Sequence, residues 1–162
     1  MIVFDTDILS MFAKIDAVDL LKHLFGKTAI ITPKIRDEIS VPLEYGYSFP
    51  LKVFSTIKTV PLSDQALEEY IRLQGNLSLG KGELEAIAYC KTEKCAFATN
   101  DIKARKIAKS EGVSVISLQA ILKALWKKKI RGKKEIKQIL EKIKKADNLA
   151  VSRKVEKEIF DE

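Results

Sequence analysis

The sequence predicts an α/β protein: a three-layer α/β/α sandwich around a central, mostly parallel sheet, with a helical extension at the C-terminus. Three observations carry this. Short apolar runs alternate with longer segments of helical periodicity, the pattern of parallel strands joined by crossover helices. Gly, Pro, Ser and Thr stand at the joints between those segments. The 162 residues suffice for one domain with its own core.

In chain order, residues 1–4 read as a buried strand closed by Asp5, and residues 9–12 as a first turn or two of helix. Residues 17–25 carry Val18, Leu20, Leu21, Leu24 and Phe25 at helical spacing, stopped by Gly26. Residues 28–31 form a second strand, after which Pro33 suits the first position of a helix carrying Ile35, Glu38 and Ile39. Residues 41–50 hold two prolines, a glycine and three aromatics without a period, and read as a loop or flap. Residues 52–60 alternate (Val53, Ser55, Ile57) and predict a short strand, placed at an edge. Ser63 caps a helix over 64–73, and the Gly80-Lys81-Gly82 turn leads into a helix with Leu84, Ile87 and Ala88 on its core face. A strand over 95–99, a helix over 101–111 stopped by Gly112, a strand over 113–116 and a Ser117-capped helix over 118–128 follow. Beyond Gly132, Ile136, Ile139, Leu140 and Ile143 mark an amphipathic helix with a basic outer face, and Val151, Val155 and Ile159 mark another.

Composition removes several classes. No apolar run reaches the ~18 residues of a membrane span. Asp5 and Asp7 interrupt the apolar start, which argues against a secretory signal and for a cytoplasmic protein. Cys90 and Cys95, the only cysteines, lack the spacing of a zinc or redox pair and read as buried, reduced thiols. The single histidine, His23, has no serine–acid partners and reads as an ordinary helix residue.

The net charge of +7 is unevenly placed. Residues 103–145 hold 15 Lys and Arg against three acids, Glu111, Glu135 and Glu141. A basic surface beside acidic residues suits a phosphodiester-handling protein, because cations attract the backbone by releasing counterions while carboxylates hold metal. The competing interpretation is a solvated lysine-rich helix face.

Four acids stand where segments change character: Asp5 after the first strand, Glu38 on the proline-led helix, Glu83 at the start of a helix, and Asp101 just after a strand. In an open α/β sheet ligands sit beyond the carboxyl ends of the strands, so Asp5 and Asp101 can share one crevice. Carboxylates gathered there repel one another unless a hard cation such as Mg²⁺ or Mn²⁺ joins them. Singly, each acid has a plainer role, as a helix N-terminal or exposed residue.

The segments that carry these acids resemble the PIN-domain ribonucleases, including VapC-type toxins, over roughly residues 1–125. Ile2-Val3-Phe4-Asp5-Thr6 looks like the family's opening strand and first acid. Thr32-Pro33-Lys34-Ile35-Arg36-Asp37-Glu38-Ile39 is similar to its proline-led helix, and Gly82-Glu83-Leu84-Glu85-Ala86-Ile87-Ala88 to its third block. Ala98-Thr99-Asn100-Asp101 matches the fourth, and Gly112-Val113-Ser114-Val115-Ile116-Ser117 the final strand. The resemblance implies Mg²⁺- or Mn²⁺-dependent cleavage of RNA, with Asp5, Glu38, Glu83 and Asp101 as catalytic metal ligands and Thr6 and Asn100 orienting substrate or ligands. It also raises an antitoxin protein as partner. Asp7 departs from the pattern, as a fifth acid in or beside the site, and Glu85 competes with Glu83 for the third place.

Residues 1–130 are accordingly expected to form the nuclease-like domain and residues 131–162 a basic amphipathic extension. Lys103, Arg105, Lys127, Lys128 and Lys129 are the candidate RNA contacts. A homodimer through Leu122, Leu125 and Trp126 competes with core packing of the same residues. Two rival functions stay open: a haloacid-dehalogenase-like phosphatase, suggested by Phe4-Asp5-Thr6-Asp7, and a non-catalytic RNA- or protein-binding module.

Overall fold

The computed structural model describes residues 1–161. Five strands, β1 (Ile2–Phe4), β2 (Ala29–Ile31), β3 (Lys58–Thr59), β4 (Ala96–Ala98) and β5 (Val115–Ile116), form one sheet of order β3-β2-β1-β4-β5. Every pairing is parallel. The strands are short and apolar because they are covered on both faces: Val3, Phe4, Ile31, Phe97 and Ala98 are fully buried. Among the described residues no helix is long and apolar enough to cross a membrane.

Among the described residues ten α-helices surround the sheet. They are α1 (Thr6–Lys14), α2 (Val18–Phe25), α3 (Pro33–Ser40), α4 (Pro50–Thr56), α5 (Asp64–Leu73), α6 (Lys81–Glu93), α7 (Ile102–Ser110), α8 (Leu118–Lys127), α9 (Lys133–Ala146) and α10 (Arg153–Phe160). The α/β/α sandwich expected from the sequence is therefore present, with a wholly parallel sheet. The chain steps outward from β1 to β2 to β3, then returns to lay β4 on the other side of β1. This reversal opens a crevice beyond the carboxyl ends of β1 and β4.

Three local expectations are corrected. The region 52–60 is mostly helical: Pro50 starts α4, Val53 and Ile57 bury on its inner side, and only Lys58–Thr59 remains as an edge strand. Proline at a helix start costs no hydrogen bond, and about two turns of helix with its C-cap bury the same apolar residues that the alternation assigned to a strand. The region 41–50 is no simple loop, since Val41–Tyr45 forms a 3₁₀ turn. The first helix begins at Thr6, directly after the strand, because the Asp5 carboxylate caps it.

The C-terminal segment folds back on the body. Ile136, Leu140 and Ile143 of α9 are fully buried, and α9 packs against α1 and α8. Helix α10 lies along α8, where Trp126 Nε1 donates to Ile159 O (2.7 Å). Leu122 and Leu125 are buried and Trp126 is half-buried, so this patch is packed inside the chain. Cys90 and Cys95 are buried and unbridged.

Candidate active site

Parallel register sets the geometry. Phe4 pairs with Ala98, and Asp5 N–H donates to Ala98 O (2.9 Å), so Asp5 and Thr99 emerge side by side, one step beyond the aligned pair. Thr99 Oγ1 donates to Asp5 Oδ2 (2.7 Å) and accepts from the Asp101 N–H (3.2 Å). Asp5 Oδ1 accepts from Thr6 N–H (2.8 Å), while Asp101 caps α7 by accepting from Ala104 N–H (2.8 Å). One buried threonine thus ties the two strand-end acids together. Its role is tertiary, and its place in the β4 run gave no sign of it.

Glu38 arrives from α3. Thr6 Oγ1 donates to Glu38 Oε2 (2.6 Å), and Gly82 N–H donates to Glu38 Oε1 (3.2 Å). The approach of α3 to α6 is so close that a Cβ at Gly82 would overlap the Glu38 carboxylate. Gly82 is therefore needed for space, a requirement visible only once two distant segments are brought together.

Glu83 sits one residue further on, at the third position of α6. Its Oε1 accepts a long bond from Gly80 N–H (3.4 Å), but its Oε2 is buried without a partner. Glu85, the competitor for this place, faces elsewhere. Its Oε1 accepts from Lys34 N–H (2.8 Å) at the start of α3, where the Thr32 side chain makes no capping bond. Glu85 is thus a cap supplied by another helix, and Glu83 is the acid of α6 that turns to the crevice.

The electrostatics follow from this crowding. Asp5 is only 2% exposed. Burial pushes its carboxyl up to about 7, against the lowering effect of the Thr99 bond, and the charges of Glu83 and Asp7 add to the rise. Burial likewise pushes Glu83 to about 7, reinforced by Asp101, Asp7 and Glu38. Asp7, more open, is also raised, first by burial and then by Asp147, Asp101 and Glu38. Asp7 is therefore a fifth acid beside the site. Asp147, which nothing in the sequence marked, brings a sixth from the end of α9, where Lys14 Nζ holds it (2.7 Å).

The donors suit a hard divalent cation: all are oxygens, one buried oxygen of Glu83 has no partner, and two carboxyls carry raised pKa values that a cation would reverse. Among the described residues, however, no three Asp, Glu, His or Cys side chains converge into a ready cluster. Asp5, Glu38 and Asp101 each accept from neighbouring N–H groups. A carboxylate oxygen has two lone pairs, so an oxygen used in this way can still ligate.

Asn100 lies between Thr99 and Asp101, half-exposed, and Thr6 is engaged by Glu38. Lys103 and Arg105 stand in the first turn of α7, next to the crevice. Lys127, Lys128 and Lys129 do not join them. They are exposed at and just past the far end of α8, a helix that starts at the carboxyl edge and runs back ~15 Å.

Comparison with known proteins agrees with the architecture. No curated protein sequence matches the chain. Among solved structures, VapBC2 from Rickettsia felis, determined bound to a DNA fragment from its promoter, superposes with a TM-score of 0.55 at 18% identity, covering 72% of this chain and 98% of that one. A toxin–antitoxin complex from Klebsiella pneumoniae gives a TM-score of 0.50 at 16% identity, covering 65% of this chain and 90% of that one. Such identities speak for the fold alone. The sequence itself is matched over residues 1–162 by a family model described as a PIN domain, and with four acids in the expected order around the strand crossover, the chain belongs to the PIN-domain family.

Proposed function

We propose that the protein is a divalent-cation-dependent endoribonuclease, acting in the cytoplasm as the toxin of a toxin–antitoxin pair or in RNA processing. The observation that carries this reading is the acid crevice: Asp5 and Asp101 follow the ends of β1 and β4, tied by Thr99, Glu38 is held by Thr6 and Gly82, and the buried Oε2 of Glu83 has no partner, with burial raising Asp5 and Glu83 to about 7. Such strain is tolerated where it serves a ligand. The likeness to toxin–antitoxin structures supports an antitoxin partner.

Asp5, Glu38, Glu83 and Asp101 would hold Mg²⁺ or Mn²⁺. The cation, when bound, supplies Lewis-acid activation of the scissile phosphodiester and of the attacking water. The chain's own groups do the rest. Thr99 fixes the Asp5 and Asp101 edges relative to each other, Thr6 and Gly82 orient the Glu38 carboxylate, and Lys103 and Arg105 neutralise phosphate at the crevice rim. Asn100 orients substrate. Lys127, Lys128 and Lys129 are proposed as a second, remote RNA contact, flattening the salt dependence of binding when neutralised. The 131–162 extension serves the domain as a packed accessory.

A non-catalytic RNA-binding module is the second reading, favoured by the acids' use as helix caps. Purified protein on mixed RNA oligonucleotides with Mg²⁺, Mn²⁺ or EDTA separates the two. Cation-dependent cuts are expected, lost by about 10³-fold in Asp5→Asn and Asp101→Asn with RNA affinity nearly intact. Binding that survives EDTA, with no cleavage at any Mn²⁺ concentration, would select the module.

A further inference from the structure

Beside the acid crevice lies a second cavity, of about 360 Å³, between α7, the start of α8 and the α9–α10 connection. Its inner wall is formed by Asn100, Ile102 and Arg105, and its outer wall by Leu149 and Val151. The volume falls within the roughly 300–1,000 Å³ of small-molecule sites.

Both walls are held in place. On the outer side, Lys14 anchors Asp147, Leu149 N–H donates to Lys144 O (3.1 Å), and Ser152 Oγ caps α10 at Val155 N–H (3.2 Å). On the inner side, the Asp101 cap fixes the first turn of α7. The Arg105 backbone N–H donates to Asp101 O (3.0 Å), and the residue lines the cavity.

We propose that this cavity is a nucleobase subsite. It takes one base of a single-stranded RNA whose backbone crosses the acid crevice. Ile102 and Val151 flank the ring, the Asn100 amide reads its edge, and Arg105 meets the adjoining phosphate. The chemistry matches on each count. Proteins recognise single-stranded RNA by splaying bases into pockets with apolar faces and edge-reading polar groups. An Asn amide presents a donor and an acceptor together, the pattern that a base edge answers. Asn100 lines the cavity while the next residue, Asp101, borders the acid crevice, so a base held at Asn100 keeps its backbone at the crevice rim. A peptide fits the apolar walls as well, but gains nothing from that adjacency. The C-terminal extension thereby becomes part of substrate selection, because Leu149 and Val151 belong to it.

This inference rests on RNA being the substrate, and its test is independent of cleavage. The full chain is mixed in EDTA with single-stranded RNA octamers carrying 4-thiouridine at successive positions, and affinity is read by anisotropy. Photocrosslinks in the parent should fall on residues 100–105 or 149–152. Val151→Trp, which fills the cavity, should weaken binding about tenfold without loss of helical circular dichroism. Arg105→Gln, a change at a half-exposed side chain, should weaken it and reduce the salt slope by about one. Asn100→Ala should level the affinities among base-substituted octamers. If the parent binds RNA but crosslinks lie elsewhere, or if Arg105→Gln and a folded Val151→Trp both bind like the parent, the subsite is overturned. Cavity crosslinks with no cleavage under any cation would sink the nuclease reading and leave the subsite standing. Cleavage with cavity variants like the parent would do the reverse.

Discussion

Glu69 and Glu111 lie against Arg72 and Lys91, whereas Asp5 and Glu83 feel the charge of other acids around one crevice. In the first cluster Arg72 bridges Glu69 (2.7 Å) and Glu111 (2.8 Å), and Lys91 contacts both (2.9 and 3.2 Å). Both glutamates are held below the usual carboxylate range, chiefly by their Arg72 hydrogen bonds. In the second cluster burial raises both carboxyls to about 7, and neighbouring negative charge raises them further. A paired, solvent-facing network satisfies itself and adds little stability. Buried carboxyls raised by one another's charge store electrostatic strain, which a bound cation at the proposed site would relieve.

The comparison can be broken at the crevice with one methyl group. Gly82→Ala places a Cβ against the Glu38 carboxylate, whose flexible end can swing away. Cleavage should fall about 10²-fold through this misplacement, while stability drops by only about 1 kcal/mol for the lost hydrogen bonds. Urea denaturation and a cleavage assay measure the two; unchanged cleavage would make Glu38 merely structural.

Thr99→Val is smaller. It removes the hydroxyl that donates to buried Asp5 and should cost about 1–2 kcal/mol. The Thr99 bond lowers the Asp5 pKa, so its loss should drive that pKa higher, which carboxyl NMR titration would register. A titration unmoved by the change would contradict the coupling.

The smallest effect belongs to the paired cluster. Arg72→Ala should leave cleavage unchanged and shift the melting temperature by at most a few degrees, as expected of exposed pairs. Loss of activity in that variant would erase the distinction between the two clusters.

The two regions also differ in how far sequence reveals them. Asp5 and Asp101 were legible because a strand end is marked locally, by an apolar run that stops at an acid. The parallel sheet, and a crevice that Asp5 and Asp101 can share, followed from the alternation of elements, whereas the strand order did not. Thr99, Gly82 and Glu85 were not legible, since each acts on a partner from another segment: Thr99 on Asp5, Gly82 by making room for Glu38, and Glu85 by capping α3. Local pattern also failed at α4, where the alternation of Val53, Ser55 and Ile57 competed with a proline-led helix that buries the same apolar residues. Asp147 enters the crevice's field only because α9 packs back along α1.

If the crevice holds a divalent cation as proposed, its carboxyls should reveal it in their protons. With folded pKa values above those of the free side chains, Asp5 and Glu83 keep protons in the folded, metal-free protein that the unfolded chain has already lost between about pH 4 and 7. Stability without metal should therefore fall as pH rises through that window, and cation binding near pH 7 should expel protons. Calorimetric titration with Mn²⁺ at pH 7, run in two buffers of different ionisation enthalpy, reads this directly. Saturable binding with proton release, abolished in the Asp5→Asn, Glu83→Gln double variant, is the expected result. No saturable binding, or binding that releases no protons and survives in the double variant, would contradict the account.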